Sequence, residues 1–296
     1  MHSLGILGVG ELTEKVVTGL RRSGFDGRLL LSPRNARRAE ALAVEQGCEV
    51  LANNQAVVDQ ADLVILGVRP ESLAQLAREV RLRPGQRLVS LAAGIGLDQL
   101  AAGFPGAHCV RVMLSYAAQY NQSTVVVCPA DALTEQCLGP LGNLVVLQDE
   151  PAFELATVAA CMNGWFYFLL HDLQHWLSDK GLPPAQAREL VLGNLQDCLS
   201  SARQQPEYSL KALGQAIATP GTFTADGLAV LMHQPASASW GAACEVVLDG
   251  LLNREEAGSL TPDLQVPVHS GGVFLEMPQL FLSPRLRPAH QRGRTM

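Results

Sequence analysis

The segment Leu4-Gly5-Ile6-Leu7-Gly8-Val9-Gly10-Glu11-Leu12-Thr13 constrains this chain more than any other stretch, because an apolar run meets two glycines and then a helix-forming sequence. A buried strand turning sharply into a helix start is a dinucleotide-binding arrangement. Gly8 permits the tight turn and Gly10 lets the backbone approach a pyrophosphate. The helix opening at Glu11 and Leu12 offers unpaired N–H groups and the positive end of its dipole. Thr13 stands where the fingerprint has a third glycine, so the helix is expected to sit slightly further from the sheet. A second strand, Arg28-Leu29-Leu30-Leu31, comes at the required distance.

The residues just past that second strand select the cofactor. An NAD site places Asp or Glu there for the ribose hydroxyls, but the chain continues Ser32-Pro33-Arg34-Asn35-Ala36-Arg37-Arg38. Guanidinium groups suit a 2′-phosphate, since they carry a permanent charge and paired donors. The pattern therefore favours NADP(H) over NAD(H), with Ser32 and Arg34 as its ligands and Arg37 and Arg38 on the solvated face of a helix.

Strand and helix patterns alternate through the first half. Ala36 to Gln46 reads as a helix, Ala61 to Val68 as an apolar strand and Glu71 to Val80 as a helix. Leu88 to Leu91, Cys109 to Met113 and Thr124 to Val127 read as further strands. Near-continuous apolar strands with intervening helices predict a parallel, doubly wound sheet covered on both faces. After Gln148-Asp149-Glu150-Pro151 the character changes and helical patterns dominate: Ala152 to Ser178, Pro184 to Arg203, a shorter one near Leu210, Thr224 to Met232 and Ser237 to Glu256. The predicted organisation is an α/β Rossmann-type domain over residues 1–150, an all-helical domain over 151–258 and an extended or disordered Pro-, Gly- and Arg-rich tail over 259–296.

Composition narrows the partners. A net charge of −6 gives no support for nucleic-acid binding. Only 17% of residues are charged against 48% hydrophobic, which suits a chain that also buries surface between subunits. Seven scattered cysteines without a C-x-x-C pair read as buried thiols in a reducing, cytoplasmic compartment. The N-terminus has no basic region ahead of an apolar one, which argues against a signal peptide. The uncharged stretch from Leu155 to His171 is shorter than the ~20 residues of a membrane span, so no membrane partner is expected.

Two local patterns carry possible chemistry. Thr219-Pro220-Gly221-Thr222-Phe223-Thr224 is a turn feeding a helix, whose free amides and hydroxyls can hold a carboxylate or simply cap the helix. His171 and His175 have the i, i+4 spacing of a zinc-binding helix, but they lack the Glu base and a third ligand. No metal is expected.

With these residues in order, the chain resembles the pyrroline-5-carboxylate reductase family across nearly all of positions 4 to 250. The resemblance rests on Gly8 and Gly10, Val68-Arg69-Pro70, Ser90-Leu91-Ala92-Ala93-Gly94-Ile95, Arg111-Val112-Met113, Gly181-Leu182-Pro183, the Thr219 to Thr224 turn and Gly227-Leu228. It implies a Rossmann domain joined to a helical dimerisation domain in a homodimer or higher homo-oligomer. The implied reaction is hydride delivery from nicotinamide to a small cyclic imine carboxylate, giving proline. It also implies cofactor contacts at Val68, Arg69, Pro70, Ala93, Gly94 and Met113, substrate contacts at Thr219, Gly221, Thr222 and Phe223, and a bond from Thr224 to the imine nitrogen.

The departures from the family pattern are local. The family's Pro-Asn-Thr-Pro is Leu114-Ser115-Tyr116-Ala117 here, and a Gly and a Thr of its substrate turn are Thr222 and Phe223. Tyr116 is a phenol able to protonate a reduced imine, or a packing aromatic. Two other readings stay open: a cofactor-binding protein without turnover, and a hydroxyacid-type dehydrogenase. The second would need a catalytic Lys near the start of the long helix, and the only lysines after Lys15 are Lys180 and Lys211.

Overall fold

A computed structural model describes residues 2–233 and 236–258. Eight strands form one sheet in the order β3-β2-β1-β4-β5-β6-β7-β8. They are β1 (Ser3–Leu7), β2 (Arg28–Leu31), β3 (Glu49–Val50), β4 (Leu63–Leu66), β5 (Arg87–Ser90), β6 (His108–Met113), β7 (Ser123–Cys128) and β8 (Gly142–Val146). The helices between them are α1 (Glu11–Arg22), α2 (Ala36–Gln46), α3 (Asn54–Gln60), α4 (Leu73–Glu79), α5 (Leu97–Gly103) and α6 (Ala132–Leu138).

The strands read as unbroken apolar runs because both faces are covered. Leu4, Ile6, Leu29, Leu31, Leu63 and Ile65 pack with α1 and α2 on one face. Leu7, Leu30, Val64 and Leu66 pack with α3, α4 and α5 on the other. This is the period of two expected of a pleated strand.

The sequence suggested a parallel sheet, but one of its pairings is antiparallel. β7 runs antiparallel to β6, with Arg111 opposite Cys128. The short connection between them, a 3-10 turn at Tyr116–Tyr120 ending in left-handed Asn121, reverses the chain where a crossover helix would preserve direction. Asn121 secures the reversal by donating from Nδ2 to the carbonyls of Gly19 and Pro140. β4 is also shorter than the predicted Ala61 to Val68, and α4 starts only at Leu73, after a 3-10 turn opened by Pro70.

The second half is helical: α7 (Glu150–Asp179), α8 (Pro184–Gln204), α9 (Leu210–Ile217), α10 (Phe223–His233) and α11 (Ala236–Gly258). α7 packs on α8 and α11 and reaches β6 and β7. It runs 30 residues, three more than the expected Ala152 to Ser178, and is by length and composition alone long and apolar enough to cross a membrane. Trp240 of α11 meets the Trp165 ring of α7 edge to face and the Phe166 ring at a tilt. Elsewhere these helices expose large apolar side chains, including Tyr167, Phe168, Trp176, Leu210, Ile217 and Leu231. The predicted tail, 259–296, lies outside the described residues.

Candidate functional site

At the end of β1 the chain turns with Gly8 at φ +92, where a Cβ would lie 2.6 Å from Val68 Cγ1 and 2.9 Å from the Gly67 carbonyl. Only glycine fits there. Gly10 differs: a Cβ on it would meet nothing closer than the Gly67 oxygen at 3.9 Å, so its outer side is open. Three side chains fix the turn. Gly8 N–H donates to Ser32 Oγ (3.1 Å), Asn35 Nδ2 donates to the Val9 carbonyl (2.9 Å), and Thr13 Oγ1 accepts from Gly10 N–H (2.8 Å).

The first intrahelical bond of α1 runs from Glu14 N–H to the Gly10 carbonyl. The amides of Glu11 and Leu12 therefore lie free at the helix start, at the carboxyl edge where the chain leaves β1 and β4 for opposite faces of the sheet. The bulk of Thr13 is met on the sheet side by the missing side chain of Gly67, where a Cβ would lie 2.2 Å from Thr13 Cγ2.

Beyond β2, exposed Arg34 borders a cleft of about 630 Å³ together with Asn53, Asn54, Gln75 and Glu79. Ser32 is 1% exposed and serves the glycine turn rather than the cleft. Arg38 is tied to Glu14 of α1, while Arg37 is exposed.

The loops after β4, β5 and β6 continue the same edge. Val68 is half-buried, Arg69 is exposed, and Pro70 starts its 3-10 turn. Ala93 precedes Gly94, which has φ +69. Met113 packs against Val126, Cys128 and Phe153.

Tyr116 is half exposed above the start of α1. It is held there because Gly19 lets α1 approach the connecting turn: a Cβ on Gly19 would fall 2.1 Å from the Ala118 carbonyl oxygen. Desolvation and the neighbouring Glu11 carboxylate raise the Tyr116 phenol above its ordinary pKa, so it stays protonated at neutral pH.

No residue of α9 or α10 is buried, so the Thr219 to Thr224 turn lies at the surface of the single chain. Gly221 has φ +86. Thr222 Oγ1 accepts from Ala225 N–H (3.2 Å) and donates to the Thr219 carbonyl (2.8 Å), which makes it the cap of α10. Phe223 is 96% exposed, and Thr219 and Thr224 are exposed too.

His171 and His175 stack on α7 with ring centroids 6.1 Å apart, and no group of three metal-ligating side chains occurs among the described residues. The cysteines are only partly the buried thiols expected. Burial pushes Cys48 up to about 11 and Cys137 to about 12, whereas Cys198 is exposed.

A junction that the sequence did not reveal joins the two halves. Arg111 of β6, wholly buried, pairs with Glu150 (2.8 Å) and Glu154 (2.6 Å) of α7 and lies over the Phe153 ring. Arg111 and Glu150 are 39 residues apart in sequence, so only the fold reveals the pair.

Comparison with known proteins matches residues 3–94 to the family described as NADP oxidoreductase, coenzyme F420-dependent, and residues 152–249 to the pyrroline-5-carboxylate reductase dimerisation family. The helical half of the chain thus carries the pyrroline-5-carboxylate reductase dimerisation match. A pyrroline-5-carboxylate reductase of Pseudomonas aeruginosa is 27% identical over 256 residues, covering 80% of this chain and 93% of that one. The reductase structure from Streptococcus pyogenes superposes with a TM-score of 0.75 at 24% identity, covering 85% of this chain and 98% of that one. The Plasmodium falciparum pyrroline carboxylate reductase, solved with NADP bound, gives 0.76 at 15% identity, over 86% and 98% of the two chains. These two likenesses establish a shared fold.

Proposed function

We propose that this chain is an NADPH-dependent reductase of a small cyclic imine carboxylate, pyrroline-5-carboxylate or a close analogue. The observation that carries the reading is the glycine turn, closed at Gly8 and open at Gly10, in a chain whose helical half matches the pyrroline-5-carboxylate reductase dimerisation family. A dinucleotide fits it: a Cβ is excluded at Gly8, and the space beside Gly10 adjoins the outward amides of Glu11 and Leu12.

In this reading those amides hold the pyrophosphate and Arg34 holds the 2′-phosphate, with Ser32 acting through Gly8. Val68, Arg69, Pro70, Ala93, Gly94 and Met113 line the nicotinamide end. NADPH supplies a hydride to the imine carbon. Thr219, Gly221, Thr222 and Phe223 receive the substrate carboxylate, Thr224 bonds the imine nitrogen, and Tyr116 donates the proton that this nitrogen takes up. The products are a secondary amine and NADP⁺.

Two copies joined through α7–α11 make the working unit, because those helices otherwise leave a broad apolar face in water. The family match over residues 152–249 supports that homo-oligomer. Free thiols fit a cytoplasmic protein.

A non-catalytic NADP(H)-binding protein is the second reading, favoured by the use of the Thr222 hydroxyl as a helix cap beside a protruding Phe223. NADPH oxidation by the purified protein with pyrroline-5-carboxylate, with NADH as control, decides between them. Turnover supports reduction, and NADPH binding without turnover on this or related cyclic imines supports the second reading.

A further inference from the structure

We infer that Glu150 is a positioning residue for the cofactor, through which the helical segment holds the loop following β5. One carboxylate oxygen, Glu150 Oε1, accepts from the Leu97 amide at 2.8 Å and from Arg111 Nη1 at 2.8 Å. Leu97 is the first residue of α5, so the bond fixes the end of the loop that carries Ala93 and Gly94. The oxygen cannot swing away, because Arg111 is itself wholly buried, bound to Glu154 and laid over Phe153 with its guanidinium carbon 4.3 Å from the ring centroid. The loop after β5, strand β6 and the first turn of α7 thus meet at a single atom.

Gly94 has a positive φ, which glycine adopts without strain and can as readily leave, so the shape of this loop depends on the contacts at its ends. The contact at Leu97 holds one end from the helical side, so the shape of the cofactor edge depends on where α7 starts. The inference rests on the reading that NADPH lies along this edge.

The test compares Glu150→Ala, Glu150→Gln and Glu154→Gln in the full chain. It measures NADPH affinity by calorimetry, thermal midpoint, and amide hydrogen exchange over residues 91–97 without cofactor. Glu150→Ala is expected to speed exchange in that loop and weaken NADPH binding about tenfold, the scale of one charge-assisted hydrogen bond. Glu150→Gln keeps an oxygen for the Leu97 amide and restores both to within about twofold on the same scale. Glu154→Gln lowers the thermal midpoint but leaves loop exchange and affinity in place. Unchanged exchange in Glu150→Ala, or equal effects in Glu154→Gln, overturns the inference. Altered exchange in a protein that does not bind NADPH overturns the functional reading while leaving the hold on the loop intact.

Discussion

The methyl group of Thr13 occupies the space that a side chain on Gly67 would need: a Cβ there would lie 2.2 Å from Thr13 Cγ2. A fingerprint that has lost its third glycine in α1 has regained the room at the end of β4. The hydroxyl of the same threonine bonds the Gly10 amide, so the replacement also adds a bond to the turn. Gly67→Ala should therefore destabilise the protein by about 1–3 kcal/mol through overpacking. Thr13→Ser, which keeps the hydroxyl and removes the methyl, should recover part of that loss. A double-mutant cycle by urea denaturation reads the coupling, and strictly additive effects would refute it.

Tyr116 and Glu11 form the second testable pair. A carboxylate beside a phenol disfavours the phenolate, so Glu11→Gln should move the Tyr116 titration down toward the ordinary tyrosine value. Ultraviolet titration against a Tyr116→Phe reference isolates this group from the other three of the four tyrosines. If Tyr116 donates the proton, Tyr116→Phe lowers kcat by about 10²-fold or more. A packing aromatic would leave kcat nearly unchanged.

The substrate turn makes a prediction of gain. Replacing Thr222 by Gly and Phe223 by Thr removes the cap bond to Ala225 and the protruding ring. Stability should fall by a few tenths of a kcal/mol, the usual result of a cap changed to Gly. Activity on pyrroline-5-carboxylate should rise. A variant that binds NADPH as before and gains nothing would point to the non-catalytic reading.

Asp131 governs part of the acid response. Burial pushes its pKa up, but the Thr134 amide and hydroxyl and the Arg87 guanidinium outweigh this and hold it below the ordinary carboxylate value. A depressed folded-state pKa contributes stability above the unfolded value of about 4, and that stability is lost as pH falls through the folded value. Asp131→Asn should therefore be less stable than the wild type at pH 7, with the gap closing below about pH 4. Denaturation midpoints across that range measure it.

Much of the sheet was legible because its signals are local. The first two βα units have apolar strands, marked turns and, at Gly47, a left-handed helix end. β3 is two exposed residues, and α3 and α5 are seven residues each, too short for a period to emerge. The β-branched run of β7 marked a strand but carried no direction, and its antiparallel course is set by Asn121, Gly19 and Pro140, which are distant in sequence. The glycine turn was visible for the same local reason. Gly67 and Asn35, which complete it, and the Arg111–Glu150 junction depend on contacts between separate elements, which no single stretch of sequence displays.

Helix α7 begins at that junction and continues for 30 residues, about 45 Å at 1.5 Å per residue. It acts as a lever whose short end is clamped beside the loop after β5 and whose long end carries Phe166, Tyr167 and Trp176 outward. A tilt of about 5° at the clamp would carry the far end roughly 4 Å over that length. A change in how Glu150 is seated would therefore be felt most at the far, exposed end of the helix, well away from the sheet that it leaves.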